Sequence, residues 1–205
     1  MKCPIVSRSK ARPVGRFGFS LLELLLTAVI ILILTTLYWS PNRRSRQLAL
    51  QTACQNNLQK LFIAMNIYAT DRAGRFPIVA GARTSAEALD PLVPRYTSDT
   101  SVFVCPGSND SAPPGGESIR KRVISYAYYM GRTSTNQQVL VTDRQVDTQP
   151  KAAGQLVFSA DGKAPGNNHR QFGGNFLFCD GHVEPSSPKS AIALDLKPGE
   201  ILLNP

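Results

Sequence analysis

The first sustained hydrophobic pattern is FSLLELLLTAVIILILTTLYW, residues 19–39, with a single charge, Glu23, in 21 residues. A hydrocarbon core needs about 20 apolar residues of helix, so the run predicts a transmembrane helix. Tyr38 and Trp39 close it, as aromatic residues do at a membrane interface. Beyond Ser40-Pro41-Asn42, the apolar residues Leu48, Leu58, Leu61, Phe62, Met65, Tyr68 and Ala69 follow three-and-four spacing, with Cys54 between them. Gln47, Gln51, Gln55, Asn57, Gln59 and Lys60 lie largely off that stripe. The pattern predicts that the helix continues over 40–76, until Gly74 and Pro77 stop it. A single helix from Phe19 to Thr70 would be roughly 78 Å long at about 1.5 Å per residue.

After Pro77 the periodicity shortens. Thr84–Leu89 reads as a short helix before Pro91 and Pro94, and Val102–Pro106 as a short strand. Residues 107–118 form a loop of Gly, Ser, Asn, Asp and Pro. Val123–Met130 alternates and carries Tyr126, Tyr128 and Tyr129, which predicts a strand whose tyrosines cover a sheet. Val139–Thr142 and Leu156–Ser159 are further short strands. Asn175–Cys179 and His182–Glu184 make a hairpin, because Asp180-Gly181 supplies the positive φ values of a tight turn. The expected fold is α+β: a long N-terminal helix, its first half transmembrane, packed on a small antiparallel sheet. The expected organisation is a basic leader over 1–18, the transmembrane helix over 19–39, its continuation over 40–76, and a globular α+β head over 77–205.

Composition narrows the class. With 205 residues, 42% hydrophobic and 18% charged, plus 15 Gly and 15 Pro, the chain is neither a coiled coil nor a disordered polyelectrolyte. A net charge of +9 is compatible with nucleic acid, but its distribution argues otherwise. Lys2, Arg8, Lys10, Arg12 and Arg16 stand in 1–18 without an acid, which leaves 18 basic against 14 acidic residues elsewhere. The surplus flanks the apolar run, together with Arg43, Arg44 and Arg46, so no nucleic-acid partner is predicted. The larger basic count before the run orients the N terminus to the cytoplasm and the bulk of the chain across the membrane. A cleaved secretory signal is the poorer reading, since the run is too long and no small-x-small site follows it. An ordinary signal anchor leaves Glu23 without a purpose, although an ionisable group inside a spanning helix is expensive.

The stretch Arg16-Phe17-Gly18-Phe19-Ser20-Leu21-Leu22-Glu23-Leu24-Leu25 closely resembles the class III prepilin signal of type IV pilins and type II secretion pseudopilins. The resemblance implies cleavage after Gly18 by a prepilin peptidase on the cytoplasmic face and N-methylation of Phe19. It implies that Glu23 pairs with the amino terminus of a neighbouring subunit's Phe19, which neutralises a buried charge and sets the stagger. A Pro near Pro41 marks, in pilins, a stretch that loosens in the filament; an interfacial helix break is the other reading. Cys54-Gln55-Asn56-Asn57-Leu58-Gln59-Lys60, Tyr68-Ala69-Thr70-Asp71 and Gly74-Arg75-Phe76-Pro77 are also similar to a large bacterial group of pseudopilin-like proteins. So is His169 followed by Gly173–Val183, although ten residues, 170–179, separate His169 from Asp180-Gly181 where that group has nine.

Chemistry is sparser. Asp143, Asp161, His169, Asp180 and His182 lie near one another in sequence. A metal is conceivable there: zinc through His and carboxylates, or calcium in an oxygen shell. The plainer reading makes Asp180 a turn residue, His182 a strand-face residue and Asp161 a loop cap, with no cofactor. No nucleophile elbow, P-loop or HExxH is present, and no catalytic residue is assigned. Cys3 would leave with the leader. Of Cys54, Cys105 and Cys179, the pair Cys105–Cys179 is the expected disulfide, with Cys54 buried as a small apolar residue.

The sequence thus implies a structural subunit of a type II secretion pseudopilus or type IV-like fibre. Its partners would be the prepilin peptidase/methyltransferase, copies of itself and other pilin-like subunits, an inner-membrane assembly platform and membrane lipid. Its location would be the bacterial inner membrane, single-pass, with a periplasmic head, and then the filament. The alternative is a membrane-tethered periplasmic binding module that does not assemble.

Overall fold

The computed structural model describes Gly18 and residues 20–38, 43–134 and 137–205. The leader, Cys3, Phe19 and the Trp39–Asn42 segment with its expected break at Pro41 lie outside the described residues. Two units are distinct, residues 1–42 and 43–205.

The first unit contains α1, Leu21–Tyr38. Leucine, isoleucine and alanine favour the helix. The threonines are accommodated because Thr27, Thr35 and Thr36 donate their hydroxyls to the carbonyls three residues back, at 3.0, 2.9 and 2.8 Å. Glu23 lies in its first turn.

Here the structure corrects the sequence. The helix has 18 residues, about 27 Å at 1.5 Å per residue, against a hydrocarbon core of about 30 Å. No helix among the described residues is long and apolar enough to cross a membrane. A single helix from Phe19 to Thr70 would cross Trp39–Asn42, outside the described residues; the helices described are α1, to Tyr38, and one from Arg43. The pilin-like architecture with a transmembrane first half is therefore not found. The single-pass placement in the inner membrane, N terminus cytoplasmic and head periplasmic, loses its support with it.

In the second unit, α2 runs over Arg43–Thr70. Its buried stripe is Gln51, Cys54, Leu58, Leu61, Met65 and Ala69, in three-and-four steps. Leu48, expected to open that stripe, is 52% exposed. The helix ends where Ala73 and Gly74 take positive φ, 53° and 79°, and the Gly74 amide turns back to the Ala69 carbonyl at 2.8 Å. A short α3, Ser85–Leu89, is capped by Thr84, whose hydroxyl accepts from the Glu87 amide at 3.3 Å.

Five strands follow: β1 Tyr126–Met130, β2 Val139–Asp143, β3 Gly174–Phe178, β4 Val183–Ser186 and β5 Ile201–Leu203. They form one antiparallel sheet in the order β4-β3-β2-β1-β5. Every residue of β1, β2 and β3 is buried, so both faces are covered. On one face Tyr126, Tyr128, Leu140 and Leu177 meet the α2 stripe. On the other, Ala127, Tyr129, Phe176 and Phe178 meet Val157, Phe158 and Leu194 from the connecting loops. The three tyrosines are core residues, as the alternation implied.

Two expected strands are not formed. Residues Thr100–Phe103 make a 3-10 turn, because the Asp99 carboxylate accepts from the Ser101 amide at 3.1 Å and caps it. At Leu156–Ser159 there is only an isolated bridge from Leu156 to Lys189.

Candidate functional site

Asp143 ends β2 directly opposite Tyr126 of β1, on the face that α2 covers. The α2 stripe puts Cys54 over this point: its sulfur lies 3.2 Å from the Tyr126 hydroxyl and 3.4 and 3.7 Å from the two Asp143 carboxylate oxygens. Cys105 follows the 3-10 turn, which Asn57 of α2 holds by donating to the Val104 carbonyl at 3.0 Å. His169 enters from the loop before β3, with Nε2 3.2 Å from the Cys105 sulfur and 3.4 Å from Asp143 Oδ2. One donor atom from each of Cys54, Cys105, Asp143 and His169 falls within 4.8 Å of all the others, and all four residues are buried.

Outer residues hold this centre. Asn168 donates its side-chain amide to Asp143 Oδ1 and to the Ser125 carbonyl, both at 2.7 Å. Asn175 donates to Asp143 Oδ2 from its backbone and its side chain. The Gly107 amide points to the Cys105 sulfur at 3.4 Å. A side chain at Gly107 would collide with the site, since a Cβ there would stand 2.6 Å from the Asn168 carbonyl and 2.7 Å from His169 Nδ1.

Charge is separated inside the cluster. Burial pulls the His169 pKa down, but hydrogen bonding to Asp143 and Cys105 and their charges outweigh it, pushing His169 up to about 10. Burial likewise opposes ionisation of Asp143, yet its bonds to His169, Asn168 and Cys54 leave its carboxyl below the ordinary value. Cys105 is lowered against its own burial by its contacts with Cys54 and His169, whereas burial and the adjacent Cys105 and Asp143 drive Cys54 well up. The donor set is two sulfurs, one imidazole and one carboxylate. That set suits zinc and its neighbours; calcium would want oxygens throughout. With no donor reaching solvent, the arrangement suits a closed structural site better than a catalytic one.

The sequence-derived candidates separate. His169 and Asp143 enter the cluster. Asp161 is an exposed loop cap, accepting from the Ser159 hydroxyl and the Lys163 amide, both at 2.9 Å. Asp180 and His182 face one another at 2.5 Å on the exposed β3–β4 turn, where His182 stacks on Phe178 at 4.0 Å. Cys105, expected against Cys179, instead sits with His169 and Cys54, and all three described cysteines are free. That Cys54 and Cys105 join the cluster escaped the sequence reading. The available signal was only a thiol on the apolar stripe of the helix, Cys54. Gly18 is exposed, with no neighbouring atom within 4 Å of where a Cβ would stand, and Glu23 is exposed on α1.

Compared with known proteins, the chain matches no family model, no curated protein and no solved structure.

Proposed function

We propose that the chain is a structural subunit of an assembled fibre of the prepilin class, a type II secretion pseudopilus or type IV-like fibre, and not an enzyme. One observation carries this reading: α1 is apolar around its whole circumference and uncovered. Leu24, Leu25, Ile31, Leu32 and Leu34 are each 59–65% exposed. A helix hydrophobic on every side is stable only when buried, and the occupant that matches it is the same helix from further copies. Glu23, the only charge on α1, then needs a cation at the helix N-terminal end. Cleavage after Gly18 would create one, the amine of Phe19, and the open surroundings of Gly18 suit the approach of a peptidase.

The test is the intact mass of the chain recovered from producing cells, paired with Glu23→Ala. The expected chain begins at methylated Phe19, and Glu23→Ala abolishes high-mass assemblies while the near-ultraviolet circular dichroism of the head is unchanged. A chain that keeps residues 1–18, with Glu23→Ala assembling as before, overturns the reading.

A further inference from the structure

We propose that Cys54, Cys105, Asp143 and His169 form a closed, four-coordinate site for a zinc-class divalent cation that ties α2 to the sheet and to the loops at 105 and 169. None of its four residues belongs to α1, and the site does not depend on assembly.

The argument is geometric. Metal–sulfur bonds of about 2.3 Å and metal–nitrogen or –oxygen bonds of about 2.0–2.1 Å, at tetrahedral angles, put the donors roughly 3.3–3.8 Å apart. The observed separations are 3.2 Å from Cys105 Sγ to His169 Nε2, 3.4 Å from His169 Nε2 to Asp143 Oδ2, and 3.7 Å from Cys54 Sγ to Asp143 Oδ2. No pair among the four donors exceeds 4.8 Å. Three of the six donor pairs therefore already stand close to the edges of a zinc tetrahedron, and the other three are within 4.8 Å.

The alternatives use fewer of these groups. A Cys54–Cys105 disulfide would consume two donors and leave Asp143 and His169 converging on nothing. A bare Asp143–His169 pair would not require either thiol, yet the Cys54 sulfur is turned to the carboxylate and the Cys105 sulfur to the imidazole. The outer shell also fits: Asn168 and Asn175 hold the Asp143 carboxylate in place, as partners of metal-bound carboxylates do. A cavity of about 1090 Å³, lined by Pro106, Gly107, Asn167 and Asn168, reaches the backbone beside two of the ligands and offers a route in. Both thiols would bind as thiolates and His169 through an unprotonated Nε2, so their protons leave to water.

The probe is cobalt(II), titrated into the reduced full-length chain under anaerobic conditions, with zinc as competitor. The expected result is one equivalent of cobalt showing thiolate charge-transfer absorption and the intense visible bands of a tetrahedral ion, both abolished by one equivalent of zinc. Cys54→Ser and Cys105→Ser should each weaken binding by more than about 100-fold, beyond the 10–100-fold that outer-shell partners command. Cys179→Ser should leave it unchanged. Should a ligand variant fail to fold, the wild-type chain still decides: one equivalent of zinc raises its thermal midpoint, and a chelator reverses the gain. Absence of the thiolate band from the folded, reduced chain overturns the proposal. So does a Cys105→Ser chain that binds cobalt with wild-type affinity and an undiminished thiolate band, or a natively purified chain carrying a Cys54–Cys105 disulfide in place of metal.

Discussion

Asn175 grips Asp143 twice, donating to the same carboxylate oxygen from its backbone at 2.8 Å and from its side-chain amide at 3.0 Å. The residue also accepts from Gln55 of α2 at 3.0 Å, so it links helix and carboxylate. Asn175→Ala removes one donor from a fully buried acid and leaves Gln55 without its acceptor. The expected cost is about 1–3 kcal/mol. In urea titrations the midpoint should fall while the slope stays constant. An unchanged midpoint would mean that the carboxylate is held adequately by Asn168 and the Asn175 backbone.

Gly107 tests the tightness of the same region by sterics alone. Its φ is not in the left-handed region, so Gly107→Ala adds no backbone strain and only the collision with the Asn168 carbonyl and the His169 ring remains. Neither neighbour is free to move: the Asn168 side chain is bonded on both sides, and His169 is fully buried. A loss of about 1–3 kcal/mol is expected, read as a lower thermal midpoint.

The α2 stripe was legible because Cys54, Leu58, Leu61, Met65 and Ala69 recur with the helical period, although Gln51, read as lying off it, is buried in it and donates to the Gly174 carbonyl. The β3–β4 hairpin was legible because Asp180-Gly181 encodes its own turn, with Gly181 at φ 94°. The strand β5 was not. Ile201–Leu203 is three residues long and forms only because the edge of β1 awaits it, with Leu203 against Tyr128 and Ile201 against Met130. Val102-Phe103-Val104 reads as a strand by composition, but the Asp99 cap acts first and winds the chain into a turn. The apolar run at 19–39 gave its helix, described over Leu21–Tyr38. The cluster was half legible. Its four members come from a helix, a loop, a strand end and a second loop, so no local spacing announces them, and only the folded sheet brings Asp143 beneath Cys54.

Arg132 and Glu200 form a different buried pair, 3.1 Å apart, with side chains 2% and 7% exposed. The Arg132 guanidinium also donates to the Val139 and Asp195 carbonyls and lies 4.0 Å over the Tyr129 ring. Glu200→Ala would strand that cation in the core, at an expected cost of about 3–5 kcal/mol. Removing Asp71 from the exposed Arg95–Asp71 pair, 3.4 Å apart, should cost less than about 1 kcal/mol. Chemical denaturation of the two variants side by side measures the contrast, and equal losses would refute it.

Burial pushes the Cys179 thiol from its ordinary 9.0 up to about 11. Below 9.0 the thiol is protonated both folded and unfolded, so it contributes no pH dependence. As pH rises from 9.0 towards about 11, the unfolded thiol ionises first, and stability falls across that window. Cys179→Ser lacks this titration. The wild-type chain should therefore lose stability relative to the variant between those pH values, on the order of 2 kcal/mol. Iodoacetamide at neutral pH should label Cys179 only after unfolding; rapid labelling of the native chain would show the thiol to be accessible.

Assembly through α1 makes a demand that a solitary helix does not. Ile31 is 61% exposed in the single chain, and in a fibre it would be packed among neighbouring helices. Ile31→Lys leaves the isolated helix nearly as stable, because lysine is a good helix former and the site faces solvent. Within a fibre the same ammonium would be buried without a partner, which is prohibitive. The expected outcome in sedimentation velocity is a shift from high-mass species to single chains, with the unfolding midpoint of residues 43–205 unchanged. Ile31→Val keeps the apolar surface and should keep the assemblies. If Ile31→Lys sediments as the wild-type chain does, that position of α1 is not a packed surface between copies, and the helix must be covered by some other apolar partner.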